Sequence, residues 1–287
     1  MINEHGISAR KACKTVHIDR KKWSYTSVRK RSDEQVISSF KRLTEKHPSI
    51  GFWQCYFRMR KDGFTDNHKR MYRIYSSMKL NIRRRAKKRL PKRIKQALYK
   101  PDAPNKVWSI DFMSDSLWDG RKFRTLNIID DFNRKILAID IDTSIPALRV
   151  IRVLENLKER LGTPEIIRVD NGPEFISAKL DLWCKENQIQ LLFIRPGKPT
   201  ENAYVERFNG SFRRELLNAY VFRNLKEVRI LAEEWMKDYN TKSPHKSLNY
   251  LTPMEYNKLL NFIFGCSEKS WSIHSNPLSL LFNLFLD

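Results

Sequence analysis

No two cysteines in this 287-residue sequence are spaced to grip a metal ion. Cys13, Cys55, Cys184 and Cys266 are scattered, with no CxxC and no Cys/His quartet at zinc-ligand spacing. Free thiols in a reducing cytoplasm are expected from that usage. No apolar run reaches the roughly 18 residues that span a bilayer, and the opening MINEHGISARKACK lacks the apolar centre of a signal peptide. No membrane partner is expected, and the greasy tail NPLSLLFNLFLD is too short to cross one. A GxxxxGK[ST] loop is also missing, so nothing points to an ATP-driven machine.

What the chain has in excess is positive charge, and it is unevenly placed. The formal net charge is +23, and residues 1–100 hold 29 Lys and Arg against 7 Asp and Glu. The remainder is nearly balanced, at 26 against 25. A solubilising surface explains mixed charge but fits a one-signed third poorly. A polyanion partner explains it better, with nucleic acid first, because each neutralised phosphate releases counterions. Hydrophobic residues make up 41% of the chain, enough to bury a core.

The pattern divides the chain into five stretches. Residues 1–30 read as a short helical segment. Residues 31–80 read as a small helical DNA-binding domain of helix-turn-helix type. Within it, Ser32 is the expected N-cap of a helix over 32–46 with Val36, Ile37, Phe40 and Leu43 on one face. A second helix stops at Gly63, and a third starts near Asp66 with Met71, Ile74 and Met78 inward and Lys69, Arg70 and Arg73 outward. A plain three-helix bundle with a basic surface is the competing reading. Residues 81–104 are a basic linker suited to lie along phosphates.

From Val107 to about Tyr256 the texture is that of an α/β domain, with core bounds of 105–262 and an atypical tail of 263–287. VWSIDFM, KFRTLNIID, KILAIDID, EIIRVD and IQLLFI read as strands. PALRVIRVLENLKERLG, EFISAKLDLWCKENQ and a stretch from Thr200 read as helices, the last broken near Asn224. The order βββ-α-β-α-β-α predicts a mixed sheet with helices on its faces.

Two acids sit oddly in this pattern. Asp111 lies inside the apolar VWSIDFM, where an unpaired carboxylate is costly. Asp170 ends IIRVD at the hinge into Asn171-Gly172-Pro173. Asp130, Asp131, Asp140 and Asp142 lie near the strand hairpin, where solvent or turn hydrogen bonds would account for them. A third candidate is Glu206. At about 100° per residue Val205, Phe208, Phe212 and Leu216 form one stripe of its helix, and Asn202, Glu206, Asn209 and Arg213 form the stripe beside it. Taken singly, each acid has an ordinary explanation: a buried ion pair, a turn cap, a solvated helix acid. Gathered at one sheet edge, three carboxylates repel unless a cation joins them. Oxygen ligands without Cys or His favour Mg²⁺ or Mn²⁺, and a pair of such ions suits in-line displacement at a phosphodiester.

In order along the chain, WSIDFMSD, LNIIDDFNR, IRVDNGPEF, IRPGKPTENAYVERFNGSFRRELLN, YN and PHKSLNYLTPMEY resemble one family. It is the catalytic core of bacterial insertion-sequence transposases, the OrfB-type proteins of the insertion sequence 3 family, relatives of retroviral integrases. Thirty-five residues separate Asp170 from Glu206, the spacing that gives the D,D(35)E class its name. The resemblance implies an RNase H-like fold, with Asp111, Asp170 and Glu206 as catalytic and metal-binding triad for Mg²⁺ or Mn²⁺, with two ions expected. It implies hydrolysis at a transposon 3′ end and attack of the freed 3′-OH on another phosphodiester. It also implies DNA contacts from Lys198, Asn202, Asn209 and Arg213, and a bacterial, nucleoid-associated protein working as a homo-oligomer. Glu201 departs from the Gln expected there, the tail 266–287 does not match, and no leucine-zipper heptads appear. An upstream-frame OrfA-type partner is expected to supply the zipper. The missing zinc ligands argue against a retroviral-type integrase. A catalytically decayed DNA-binding remnant and an RNase H-like nuclease are the alternatives.

Overall fold

A computed structural model of the chain describes residues 6–25, 28–82, 101–195 and 202–265. The fold divides into two compact units, Met1–Arg85 and Ala86–Asp287. Most of the expected linker and tail lies outside the described residues.

The first unit carries short helices α1 (Ala9–Thr15) and α2 (Arg20–Trp23), followed by α3 (Val28–Lys46), α4 (Phe52–Lys61) and α5 (His68–Ser77). Its core is Val36, Phe40, Ile50, Cys55, Met59, Met71, Ile74 and Tyr75, with Ile37, Leu43 and Met78 packed against it. Because α3 begins at Val28, Ser32 lies inside the helix and not at its start. The α5 cap is Asn67, whose side chain accepts from the Lys69 N–H. Arg70 and Arg73 both reach back to the buried Asp33. The Arg70 hydrogen bond holds that carboxyl below its usual range, against the pull of burial. The basic face of α5 is thus partly spent on holding α3.

The second unit is built on β1 (Val107–Ser116), β2 (Lys122–Asp130), β3 (Ile136–Asp142), β4 (Ile166–Val169) and β5 (Gln190–Phe193), in the order β3-β2-β1-β4-β5. The β1–β2–β3 meander is antiparallel, and β4 and β5 run parallel to β1. That mixed five-stranded sheet is RNase H-like, as expected. Alternation along β1 sends Trp108 and Ile110 to one layer and Met113 to the other. The first layer is closed by α6 (Ala147–Leu161) and α7 (Ala178–Glu186) through Val150, Leu154, Leu157, Leu180 and Trp183. The second is closed by α8 (Ala203–Phe212) and α9 (Leu225–Lys242) through Val205, Phe208, Phe212, Ala232 and Trp235. Each of the Val, Leu and Phe side chains among these, fully buried, contributes about 1.5–3 kcal/mol. Along β3, Asn240 of α9 pairs with both the N–H and the carbonyl of Ile136, and Arg229 donates twice to the Ile141 carbonyl.

Several expectations need correction. Residues 173–177 precede α7 as a turn, because Phe175 is fully buried and stacks on Phe112 at 4.9 Å. The regular pattern continues past Tyr256 as α10 (Pro253–Gly265), docked on Phe132. Of the four competing acids, Asp130 and Asp142 do accept turn hydrogen bonds, from the Phe132 and Thr143 N–H groups, but all four are also held by partners outside the hairpin. Asp131 is paired with buried Arg168, Asp130 accepts from the N–H groups of Asn105 and Phe132, and Asp140 and Asp142 share Arg149. Cys13, Cys55 and Cys184 are free and buried, and burial pushes the Cys184 thiol up to about 11. Among the described residues, no helix is long and apolar enough to cross a membrane.

His245 gives this domain an acid sensitivity. Its Nε2 is buried without a hydrogen-bond partner among the described residues, and its ring meets Tyr239 edge-on at 4.7 Å. Burial, then Arg134 and Arg207, push its pKa down to about 4. A depressed folded-state value means the stability is full above the unfolded value of about 6.5 and is lost as pH falls toward 4. We expect the unfolding free energy to drop by about 2 kcal/mol from this group between pH 8 and pH 5. Urea titrations at the two pH values, repeated on His245→Phe, should show the difference shrinking in the variant.

Candidate active site

The polar stripe of α8 lies along β1, because the apolar stripe beside it is buried against the sheet. Val205, Phe208 and Phe212 are all within 1% of full burial, and Leu216 follows them inward. From the adjoining stripe, Asn202 donates to the Ile110 carbonyl at 3.4 Å, and Asn209 donates to Asp111 Oδ2 at 2.7 Å. Arg213 donates to the Ser114 carbonyl at 2.8 Å and pairs with Asp115 at 3.3 Å. Glu206 stands between Asn202 and Asn209 on that stripe, exposed at its end and with its carboxyl raised by partial burial. Arg134 braces the start of the helix from the β2–β3 turn, its guanidinium 3.4 Å from the centre of the Tyr204 ring.

Asp111 lies mid-strand on β1, half-buried, one register position past the Ile110–Ile128 pair and directly opposite Asn127. Burial pushes its carboxyl up to about 6, and the charges of Asp170 and Glu206 add to the rise. Asp170 and Glu206 are thus within electrostatic reach of Asp111. Asp170 follows β4 at the point where the β1–β4 register, Trp108 to Ile167 and Ser109 to Arg168, carries forward to Asp111. Its Oδ1 accepts from the Gly172 N–H at 3.0 Å, a turn that fixes the carboxylate.

Reading the sequence alone missed three neighbours. Glu174 is paired with Arg124, which holds its carboxyl below the usual range, and Arg124 also covers the Phe112 ring at 4.3 Å. Asn127 donates to Asn209 Oδ1 at 2.7 Å. Glu174 stood in the quoted IRVDNGPEF, but its partner 50 residues away gave no local signal. Of the residues expected to touch DNA, Asn202 is only 2% exposed, and Asn209 and Arg213 are engaged with β1. Lys198 and Glu201 lie outside the described residues.

Chemically the donor set is carboxylate oxygen without thiol or imidazole, which fits a hard divalent cation. Among the described residues, no three His, Cys, Asp or Glu side chains draw close enough together to ligate one ion. The three acids stand apart as like charges from β1, the end of β4 and α8.

Gly172 sets the space beside Asp170. A Cβ there would sit 3.0 Å from Asp170 Oδ1 and 3.5 Å from Glu174 Oε2. Gly172→Ala should therefore push the Asp170 carboxylate aside with little effect on melting temperature. A shift of a few tenths of an ångström should lower the rate by up to about tenfold, to be read from phosphodiester cleavage by wild type and variant. Unchanged cleavage would show that the carboxylate is free to move.

Comparison with known proteins gives a consistent picture. A model described as integrase core domain matches residues 101–199, and a second of the same description matches 187–253. A 31.7 kDa protein of insertion element IS407 from Burkholderia multivorans is 38% identical over 250 residues, covering 87% of this chain and 90% of the relative. The putative transposase InsK for insertion sequence element IS150 of Escherichia coli is 24% identical over 243 residues, covering 81% and 83%. Among solved structures, the intasome of simian T-cell lymphotropic virus aligns with a TM-score of 0.50 at 16% identity, over 82% of this chain and 78% of that one.

Proposed function

Because this chain belongs to the insertion sequence 3 family of transposases, which carry an integrase core domain, we propose that it cuts the 3′ ends of an insertion sequence and joins them to DNA. The observation that supports this reading is that Asp170 and Glu206 lie near enough to the half-buried Asp111 for their charges to raise its carboxyl, although the three do not close on a single point. Those three would hold Mg²⁺ or Mn²⁺, two ions in the reading we favour. Bound there, the ions would supply Lewis-acid activation of the attacking oxygen and stabilisation of the leaving one.

The chain's own residues do the positioning. Asn209 holds one Asp111 oxygen and the Phe112 N–H holds the other. The Gly172 N–H orients Asp170, and the α8 stripe presents Glu206 between two side chains anchored on β1. Transesterification conserves the number of phosphodiester bonds, which agrees with the missing nucleotide-binding loop. Residues 31–80 and the basic linker 81–104 bind the ends, and Lys198 and Arg213 add DNA contacts. A dimer or larger assembly pairs two ends, with an OrfA-type partner adding recognition and the nucleoid as its place of work.

The test is incubation of the protein, with and without the partner frame, with end-labelled terminal DNA and Mg²⁺. Nicking at the 3′ end followed by end joining is the expected result. Binding without nicking under either condition would instead mean a decayed remnant, and nicking of any duplex without joining a nuclease.

A further inference from the structure

Asn127 is a residue its own strand does not explain. It lies near the middle of β2, 0% exposed, between the buried apolar Leu126 and Ile128. A β-branched aliphatic residue suits such a position better. The amide is also incompletely used, since Asn127 Oδ1 has no hydrogen-bond partner among the described residues. A buried acceptor left unpaired lowers stability, so a core that keeps one has a reason outside folding.

The other end of the same amide supplies that reason. Asn127 Nδ2 donates to Asn209 Oδ1 at 2.7 Å, and Asn209 Nδ2 donates to Asp111 Oδ2 at 2.7 Å. The direction of this relay follows from chemistry. An ionised carboxylate only accepts, so Asn209 must turn its NH₂ toward Asp111. Its carbonyl oxygen then faces inward and needs a donor, which Asn127 provides from the position on β2 directly opposite Asp111. Were Asn209 flipped, its oxygen would face the carboxylate and its NH₂ would face another NH₂. Glu206 and Asn209 are three residues apart and share a helix face, so the bond that fixes Asn209 also fixes the roll of α8 that presents Glu206.

We propose that Asn127 is a positioning residue of the acidic centre, acting through Asn209 to hold the Asp111 carboxylate and the Glu206 helix in register for a divalent cation. This rests on the reading of Asp111 as a catalytic acid. Asn127 touches neither DNA nor the reacting atoms.

The test is Asn127→Leu, which keeps the shape of the side chain and removes both the donor and the unpaired acceptor. Mg²⁺ and Mn²⁺ affinity is measured by calorimetry on the full chain without DNA, beside thermal melting and the Mg²⁺ dependence of nicking. Loss of an outer-shell partner weakens metal affinity or activity by about 10–100-fold, so the half-saturating Mg²⁺ concentration should rise by that factor. DNA affinity and melting temperature should hold, and excess Mg²⁺ should restore much of the rate. A purely structural Asn127 predicts the reverse: a lower melting temperature with unchanged metal affinity, which would overturn the proposal.

Asn209→Leu covers the case in which the sheet core rejects leucine. It cuts the relay at a half-buried helix position and should give the same metal defect. The double variant should be no worse than Asn209→Leu alone, whereas additive losses would show two independent roles. Asp111→Asn in the same assays separates the two readings. If it abolishes nicking while Asn127→Leu changes nothing, the relay fails and the acid stands. Nicking that survives Asp111→Asn would sink the catalytic reading itself.

Discussion

An Asp170→Asn protein should fold, bind DNA and lose metal-dependent nicking by about a thousandfold or more, since a bound ion contributes several kcal/mol to the transition state. The variant is informative because asparagine keeps what the fold needs at this position. The Oδ1 that accepts from the Gly172 N–H at 3.0 Å is present in both side chains, so the turn into Pro173 survives. The Asn171 side chain still donates to the Ile194 carbonyl at 2.9 Å, which ties the same turn to the end of β5. Only the charge goes. Initial nicking rates on labelled end DNA measure the effect, with a gel-shift assay and circular dichroism as controls. Nicking within tenfold of wild type would remove Asp170 from the triad.

The second large effect concerns folding. Arg168→Met should cost about 3–5 kcal/mol, because it strands one member of a buried ion pair. Arg168 and Asp131 are 3% and 0% exposed, on β4 and at the close of β2, and each neutralises the other. Burial already pushes the Asp131 carboxyl up to about 6 in spite of Arg168. With its folded value raised, this acid costs nothing below its unfolded pKa near 3.8, and the cost is complete only above about 6. Removing Arg168 raises the folded value further, so the defect should be smaller at pH 5 than at pH 8. Replacing both partners, as Arg168→Met with Asp131→Leu, should recover most of the loss, since apolar packing often matches a buried pair. Denaturant midpoints of the single and double variants at both pH values decide it. A double variant as unstable as the single would mean that the turn, rather than the pair, holds this corner.

Much of the catalytic unit is legible in the residue order, because its signals are local. The 3.6-residue spacing of Val205, Phe208 and Phe212 specifies which side of α8 is buried, and thereby which side carries Glu206. Apolar runs give the five strands, and Asn224 does mark the break before α9, its side chain accepting from the Glu227 N–H. What escaped depends on partners distant in sequence. Asp130 and Asp131 read as turn acids because Arg168 and Asn105 approach only once the sheet forms. Arg70 and Arg73 read as an open basic face because Asp33 lies a helix away. Asn127 reads as a flaw in a strand until α8 brings Asn209 against it. The cap at Ser32 failed differently: the helical signal before it was too weak to move the start of α3 back to Val28.

The two outer strands of the sheet bear on how copies of this protein meet. An open strand edge invites a second chain to add itself on, and such growth has no natural stopping point. At β3 the invitation is withdrawn, since Asn240 occupies both backbone groups of Ile136 and Arg229 occupies the Ile141 carbonyl. At β5 the exposed edge is four residues long, too brief a template to seed stacking. Neither strand therefore offers a long open edge for another chain to extend. The sheet remains a scaffold for its acids instead of the seed of a fibre.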